Sequence, residues 1–166
     1  HYFHFDRNYA EKLVRGKVTA IHTGQLCCFD DDFLTAMRRV YHFLLDVADK
    51  NSDRLSIVRR PDDIVRVKKE GKVGLVMFFQ TGTMIQDEIG FLRLFHELGI
   101  RVMQLTYEKM NALACGAGDR LDVGLTDLGV KAVEEMNRLG ILIDMSHASR
   151  ATIADILRIS KSPVIE

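Results

Sequence analysis

Three stretches of the chain place chemistry-bearing side chains at or just past apolar runs. Gln80 and Thr81 follow Val73 to Phe79. Thr106, Tyr107 and Glu108 follow Ile100 to Leu105. Asp144, Ser146 and His147 come at the end of Ile141 to Met145. His147 has the side chain best suited to a metal or substrate role, although a lone histidine after a strand more often packs in a core. As a metal ligand it would need its second ring nitrogen held by an acceptor, and Asp144 is close in sequence. Gln80 has an amide oxygen, which is a weak ligand for a divalent ion and serves equally well to tie neighbouring loops together. Tyr107 and Asn111 belong to a long stretch from Glu108 to Val123 that is rich in Gly and Ala. Loops of that length are often functional, so substrate contact and packing are both open for them. Glu108 reads as a solvated charge, and His42 and His96 read as outer-face or packing residues of helices. His22 ends an early run and shares the rim argument weakly. Glu134, Glu135 and Arg138 have the spacing of ion pairs on a helix surface.

These side chains can cooperate only if the elements before them end at the same place. Val73 to Phe79 is apolar at every position, the pattern of a strand buried on both faces in a parallel sheet. Val18 to Ile21 is a shorter β-leaning run after Gly16, and Pro163-Val164-Ile165 starts another strand. Between the runs lie helical patterns. Asp30 to Asp32 offer caps to a helix carrying Phe33, Met37, Val40, Tyr41, Leu44 and Leu45. Pro61-Asp62-Asp63 opens one that Gly71 closes. Asp87 to Leu98 and Thr126 to Leu139 end at Gly99 and Gly140, and Ser149 to Ile159 forms the last helix. Strand and helix alternating through short returns predict right-handed βαβ units on a parallel sheet.

A doubly wound sheet and a (β/α)8 TIM-type barrel share that rhythm. No Gly-x-Gly-x-x-Gly loop follows a strand, which weakens the dinucleotide-binding alternative. Polar residues collect past several strand ends, as they do at the rim of a barrel. A whole barrel needs roughly 200 residues or more, so 166 residues predict a single partial barrel domain over 1–166 with about five or six strands. Both ends read as cut.

The composition is 47% apolar and 28% charged, with 23 basic and 23 acidic residues, so no basic surface points to nucleic acid. No apolar run reaches membrane-spanning length. Adjacent Cys27 and Cys28, with Cys115, imply no disulfide framework, and a reducing, cytoplasmic setting is expected.

Three segments carry a family resemblance. Met103 to Asn111, Gly124 to Gly129 running into Glu135 to Gly140, and Leu142 to Ser149 closely resemble the membrane (renal) dipeptidase family in order and spacing. The likeness also takes in Gly71 to Leu98 and, more weakly, the first sixty residues. It implies a zinc-dependent hydrolase on an amidohydrolase-type barrel, with His147 on a zinc-ligand position. It places Gln80 where the family has a carboxylate bridging two zincs, and a neutral amide cannot bridge two cations in that way. Tyr107 stands where the family has a substrate-facing histidine. Together these substitutions resemble a bacterial branch of the family. The family's opening His-x-Asp pair matches His4-Phe5-Asp6 as a string, while the alignment of Arg7 to His22 puts it nearer His1 and Tyr2.

The resemblance therefore implies a dipeptidase-like hydrolase that uses a zinc-activated water on a dipeptide or related small amide. The alternatives are a family member with one metal acting on another substrate, and a metal-free protein that binds a small molecule. A partial barrel exposes two parallel edge strands, so either a homodimer completes the sheet or further strands lie outside this chain.

Overall fold

The computed structural model describes residues 5–23, 26 and 31–166. His1, Tyr2, His4, Cys27, Cys28 and Asp30 lie outside the described residues. The described strands form one parallel sheet: β1 (Ala20–Thr23), β2 (Leu55–Ile57), β3 (Val73–Phe79), β4 (Ile100–Gln104), β5 (Leu142–Asp144) and β6 (Val164–Ile165). Helix α1 (Arg7–Arg15) precedes them. Helices α2 (Phe33–His42), α3 (Pro61–Lys69), α4 (Gly90–Leu98), α5 (Asp127–Leu139) and α6 (Arg150–Ile159) are interleaved with them. A wide π-type turn, Phe43–Ala48, continues α2.

One edge of β3 pairs with β1 from Ala20↔Gly74 to Thr23↔Met77. The other edge takes β2 along its first residues and β4 along its last, with a register irregularity at Met77/Phe78 where the partner changes. Strands β4, β5 and β6 then follow in chain order without reversal. The sequence pattern gives no hint of β2, whose three residues have Ser56 at the centre and are too few to show a period.

Alternating residues of the sheet face opposite sides. Met77, Phe79, Met103, Leu105, Ile143 and Met145 lie in one core cluster with Val40 of α2, Phe95 of α4, Val133 of α5 and Ile156 of α6. Leu75, on the same side of β3, packs with Ala10 of α1. These five helices cover one face, as in a barrel wall, while α3 sets Val67 against the other face near the strand starts, where a Cβ at Gly74 would meet Val67 Cγ2 at 3.3 Å. Phe79, Phe95, Leu75 and Met103 are at most 1% exposed, and each such side chain contributes about 1.5–3 kcal/mol. The opposite, concave face carries His22, Val76, Phe78, Val102, Gln104, Leu142 and Asp144, through the register pairs His22↔Val76, Phe78↔Val102, Val102↔Leu142 and Gln104↔Asp144. This is the expected incomplete TIM-type barrel.

Helix starts are fixed by side-chain caps. Asp6, Asp32, Thr126 and Ser149 accept from the backbone N–H groups of Tyr9, Thr35, Gly129 and Thr152, each cap being worth about 1 kcal/mol. The helix expected over Asp87 to Leu98 begins only at Gly90, because Gln86 makes a turn with positive φ (55°) ahead of it.

Candidate functional site

Because the described strands are parallel, β3, β4 and β5 all end on the same side of the sheet, and the residues after them form a common rim. Gln80, half-buried, is the first residue past β3. The chain leaving β4 makes a three-residue γ-turn, in which Lys109 N donates to Tyr107 O at 2.7 Å around Glu108 (φ 58°). A γ-turn with positive φ at its centre is the rare, strained form. The chain leaving β5 makes a four-residue turn closed by Ala148 N to Met145 O at 3.0 Å. Asp144 Oδ1 shapes it by accepting from Ser146 N at 2.9 Å. Its third residue, His147, has φ 66°, the position that glycine usually fills in a type II turn.

These two turns face each other. The rings of Tyr107 and His147 stack with centroids 4.0 Å apart and planes at 29°. Glu108 Oε1 lies 3.8 Å from His147 Nδ1. A third segment joins the turns. Gly118 N donates to Glu108 O at 2.8 Å and Ala117 N to His147 O at 2.9 Å. Gly116 bridges to Ala148 in antiparallel fashion, and Ser149 N and Thr152 Oγ1 both donate to Cys115 O. A side chain at Gly116 has no room: its Cβ would stand 2.1 Å from Glu108 C.

Sequence reasoning treated Glu108 as a solvated charge, and no signal in the sequence marks it otherwise. Its importance comes from a backbone conformation that Glu rarely adopts. Asp144 is not the acceptor at the His147 ring in this arrangement; the carboxylate beside that ring is Glu108. Gln104 is the second residue that sequence reasoning passed over. It is 4% exposed on the concave face beside Asp144, and its Oε1 is buried with no hydrogen-bond partner among the described residues, a situation costing about 1–3 kcal/mol. His22 lies on the same face with its ring stacked on Phe78 at 4.0 Å. Burial pushes its pKa below the ordinary histidine value, while the charge of Asp144 pulls the other way.

Asn111 belongs to the rim loop but not to the His147 group. Its amide nitrogen donates to Leu105 O at 2.7 Å, and its oxygen accepts from Leu113 N at 2.8 Å and Ala114 N at 3.2 Å. The side chain thus holds the loop in shape. Asp6 caps α1 with Oδ1 2.7 Å from Tyr9 N. Arg138 pairs with Glu135, as their spacing suggested.

The donor set does not fit a resident zinc by itself. Among the described residues no group of three or more His, Cys, Asp or Glu side chains is placed to hold a metal ion. His147 can supply one imidazole, and Gln80 only a neutral amide.

A parallel β/α barrel arc, with α1, α2, α4, α5 and α6 on one face and polar groups gathered at the C-terminal rim, defines the class: a TIM-type fold carrying a rim site. Within that class, residues 4–166 match the family model described as membrane dipeptidase (peptidase family M19). The chain belongs to the membrane dipeptidase family. It is 34% identical over 116 residues to dipeptidase tcpJ of Claviceps purpurea (strain 20.1), covering 69% of this chain and 27% of that protein. The crystal structure of an amidohydrolase from Pseudomonas aeruginosa shares 31% identity at a TM-score of 0.91, over 96% of this chain and 48% of that one. A metallo peptidase from Rhodobacter sphaeroides, liganded with a phosphinate mimic of the dipeptide L-Ala-D-Ala, shares 26% identity at a TM-score of 0.73, over 80% and 39%. The chain thus spans about a quarter of this curated relative and under half of these solved chains. Among the described residues, no helix is long and apolar enough to cross a membrane.

Proposed function

We propose that the whole protein hydrolyses the amide bond of dipeptides or closely related small amides in a metal-dependent reaction, with the His147 rim as part of its site. The observation that carries this reading is the union of His147, Tyr107 and Glu108 at the C-terminal rim of a membrane-dipeptidase-family barrel. The likeness to a metallo peptidase that holds a dipeptide mimic supports the metal and the substrate class.

Each rim residue has a part in this reading. His147 offers an imidazole as one metal donor. Tyr107 presents the edge and hydroxyl of a stacked ring toward a substrate, Gln80 stands at the end of β3 on the same rim, and Asn111 shapes the rim loop. Since Gln80 is uncharged and the described residues do not compose a metal site, the remaining donors come from elsewhere in the protein. Gln80 also favours one ion over a bridged pair. A reducing, cytoplasmic setting belongs to this reading. A homodimer belongs to the reading as well.

The test is metal analysis of the purified full-length protein together with assays on a dipeptide panel that includes D-residues. Turnover that a chelator abolishes and zinc restores is the expected result. Metal-loaded protein that cleaves no dipeptide or small amide would overturn the reading. One zinc per chain without peptide cleavage would point to the one-metal alternative with a different substrate.

A further inference from the structure

The concave face holds two buried acceptors side by side. Gln104 and Asp144 are the last residues of β4 and β5 and pair in register, and neighbouring strands run about 4.8 Å apart. They are 4% and 7% exposed. Gln104 Oε1 has no hydrogen-bond partner among the described residues. The Asp144 carboxylate accepts from Ser146 N through Oδ1, and among the described residues no Lys, Arg or His forms an ion pair with it. The residues around them on this face do not make up the deficit. Phe78, Val102 and Leu142 are apolar, and His22, three strands along the sheet, feels the charge of Asp144 with its ring stacked on Phe78. A buried carboxylate with one backbone donor, beside a buried amide oxygen with none, is a place short of both donors and positive charge.

We propose that Gln104 and Asp144 form a subsite for a primary ammonium group in the mouth of the barrel, which takes the amino end of a small substrate. An ammonium brings three N–H donors and a positive charge, and so answers both deficits. Water or a hydroxyl would bring donors without the charge. A guanidinium brings both, but its flat fork is made for two free carboxylate oxygens, and Oδ1 of Asp144 is already engaged by Ser146 N. The Gln104 amide turns about a soft terminal bond, so its oxygen swings to the Asp144 side when a donor arrives there. Each residue stands three positions before one ring of the stacked Tyr107–His147 pair. An amine held between them therefore lies on the barrel side of the rim, with the rest of the molecule directed outward. The role as a substrate subsite rests on the hydrolase reading; the binding of an ammonium does not.

The experiment is a calorimetric titration of the full-length protein with L-alaninol, an amino alcohol that has no amide to cleave, and with N-acetyl-L-alaninol, alongside thermal melts of the unliganded proteins. The wild type is expected to bind alaninol at least about tenfold more tightly than the acetylated compound. Asp144→Asn keeps an acceptor for Ser146 N and removes the charge. It should weaken alaninol binding by about tenfold or more, the size of a charge-assisted hydrogen bond, and leave the acetylated compound unaffected. Gln104→Met should weaken alaninol binding several-fold while the unliganded Tm stays the same or rises, because an acceptor without a donor has been removed. Where Asp144→Asn does not fold, Gln104→Met carries the test through both readouts. No alaninol binding by the wild type, or binding unchanged in the variants, would overturn the proposal. A lower unliganded Tm in Gln104→Met would do so too, since the amide would then already have its donor within the protein. Alaninol binding that the variants weaken, in a protein that cleaves no dipeptide, removes the hydrolase reading and keeps the subsite. Dipeptide cleavage with alaninol binding indifferent to both variants does the opposite.

Discussion

The two ends of the barrel make their sharpest turns in different ways. At the base, where helices return to strands, left-handed positions fall on Gly71 (φ 69°), Gly99 (φ 114°) and Gly140 (φ 77°), residues that adopt them without penalty. At the rim, the turns after β4 and β5 put a positive φ on Glu108 and His147, and the turn before α4 puts one on Gln86. The base is built at low strain, while the rim stores strain beneath side chains that could do chemistry, the pattern expected of a functional site. Two residues cross the division: Lys17 at the base is not glycine, and Gly124 at the rim is. Gly124 has an ordinary reason, since a Cβ there would meet Asp155 Oδ2 at 2.2 Å.

Substitutions can break or sharpen this contrast. The largest effect is expected from Gly116→Ala, which forces a methyl group into the Glu108 backbone. It should cost about 3 kcal/mol or more in urea denaturation, at the upper end of overpacking penalties, and separate Tyr107 from His147. Gly99→Ala or Gly140→Ala at the base should cost about 1–2 kcal/mol, the price of a left-handed L-residue, with activity per folded molecule unchanged. A loss of activity there beyond the loss of fold would erase the distinction between the two ends. Lys17→Gly should move stability the other way, raising it by up to about 1 kcal/mol as the strain is relieved. Thermal melts of the four variants would rank them.

The smallest effect concerns pH. Burial lowers the pKa of His22 on the concave face, and burial followed by the Arg101 charge lowers that of His96 near the base. A histidine whose folded pKa lies below its unfolded value contributes no pH dependence while both states are neutral. As pH falls through the ordinary value of 6.5, the unfolded chain takes up the proton first, so stability declines. Denaturant midpoints measured from pH 8 down to about 5 should fall, and fall less in His96→Gln or His22→Gln.

The wall of the barrel was legible because its physics is local and periodic. Val73–Phe79 is a strand over the residues its apolar run marks, and Gly99 and Gly140 end α4 and α5 where glycine belongs. Thr126 and Ser149 cap their helices within one residue of the expected starts. The gathering of Gln80, Tyr107 and His147 at one rim was likewise readable, since parallel strands deliver whatever follows them to the same end. The Glu108–His147 contact was not, because it depends on two backbone conformations that neither residue type favours, and on a strap that bonds two turns far apart in sequence. Asn111 was legible as a loop residue, but its engagement with Leu105, Leu113 and Ala114 appears only once the loop is folded.

The most direct test compares dipeptide turnover by the full-length protein with that of His147→Ala and His96→Ala, with circular dichroism as the control for fold. The expected result is turnover in the wild type, its loss by a factor of at least about 10 in His147→Ala, the low end of the loss seen when even an outer partner of a metal ligand is removed, and near-wild-type turnover in His96→Ala. Equal turnover in all three folded proteins would contradict the assignment of chemistry to the rim.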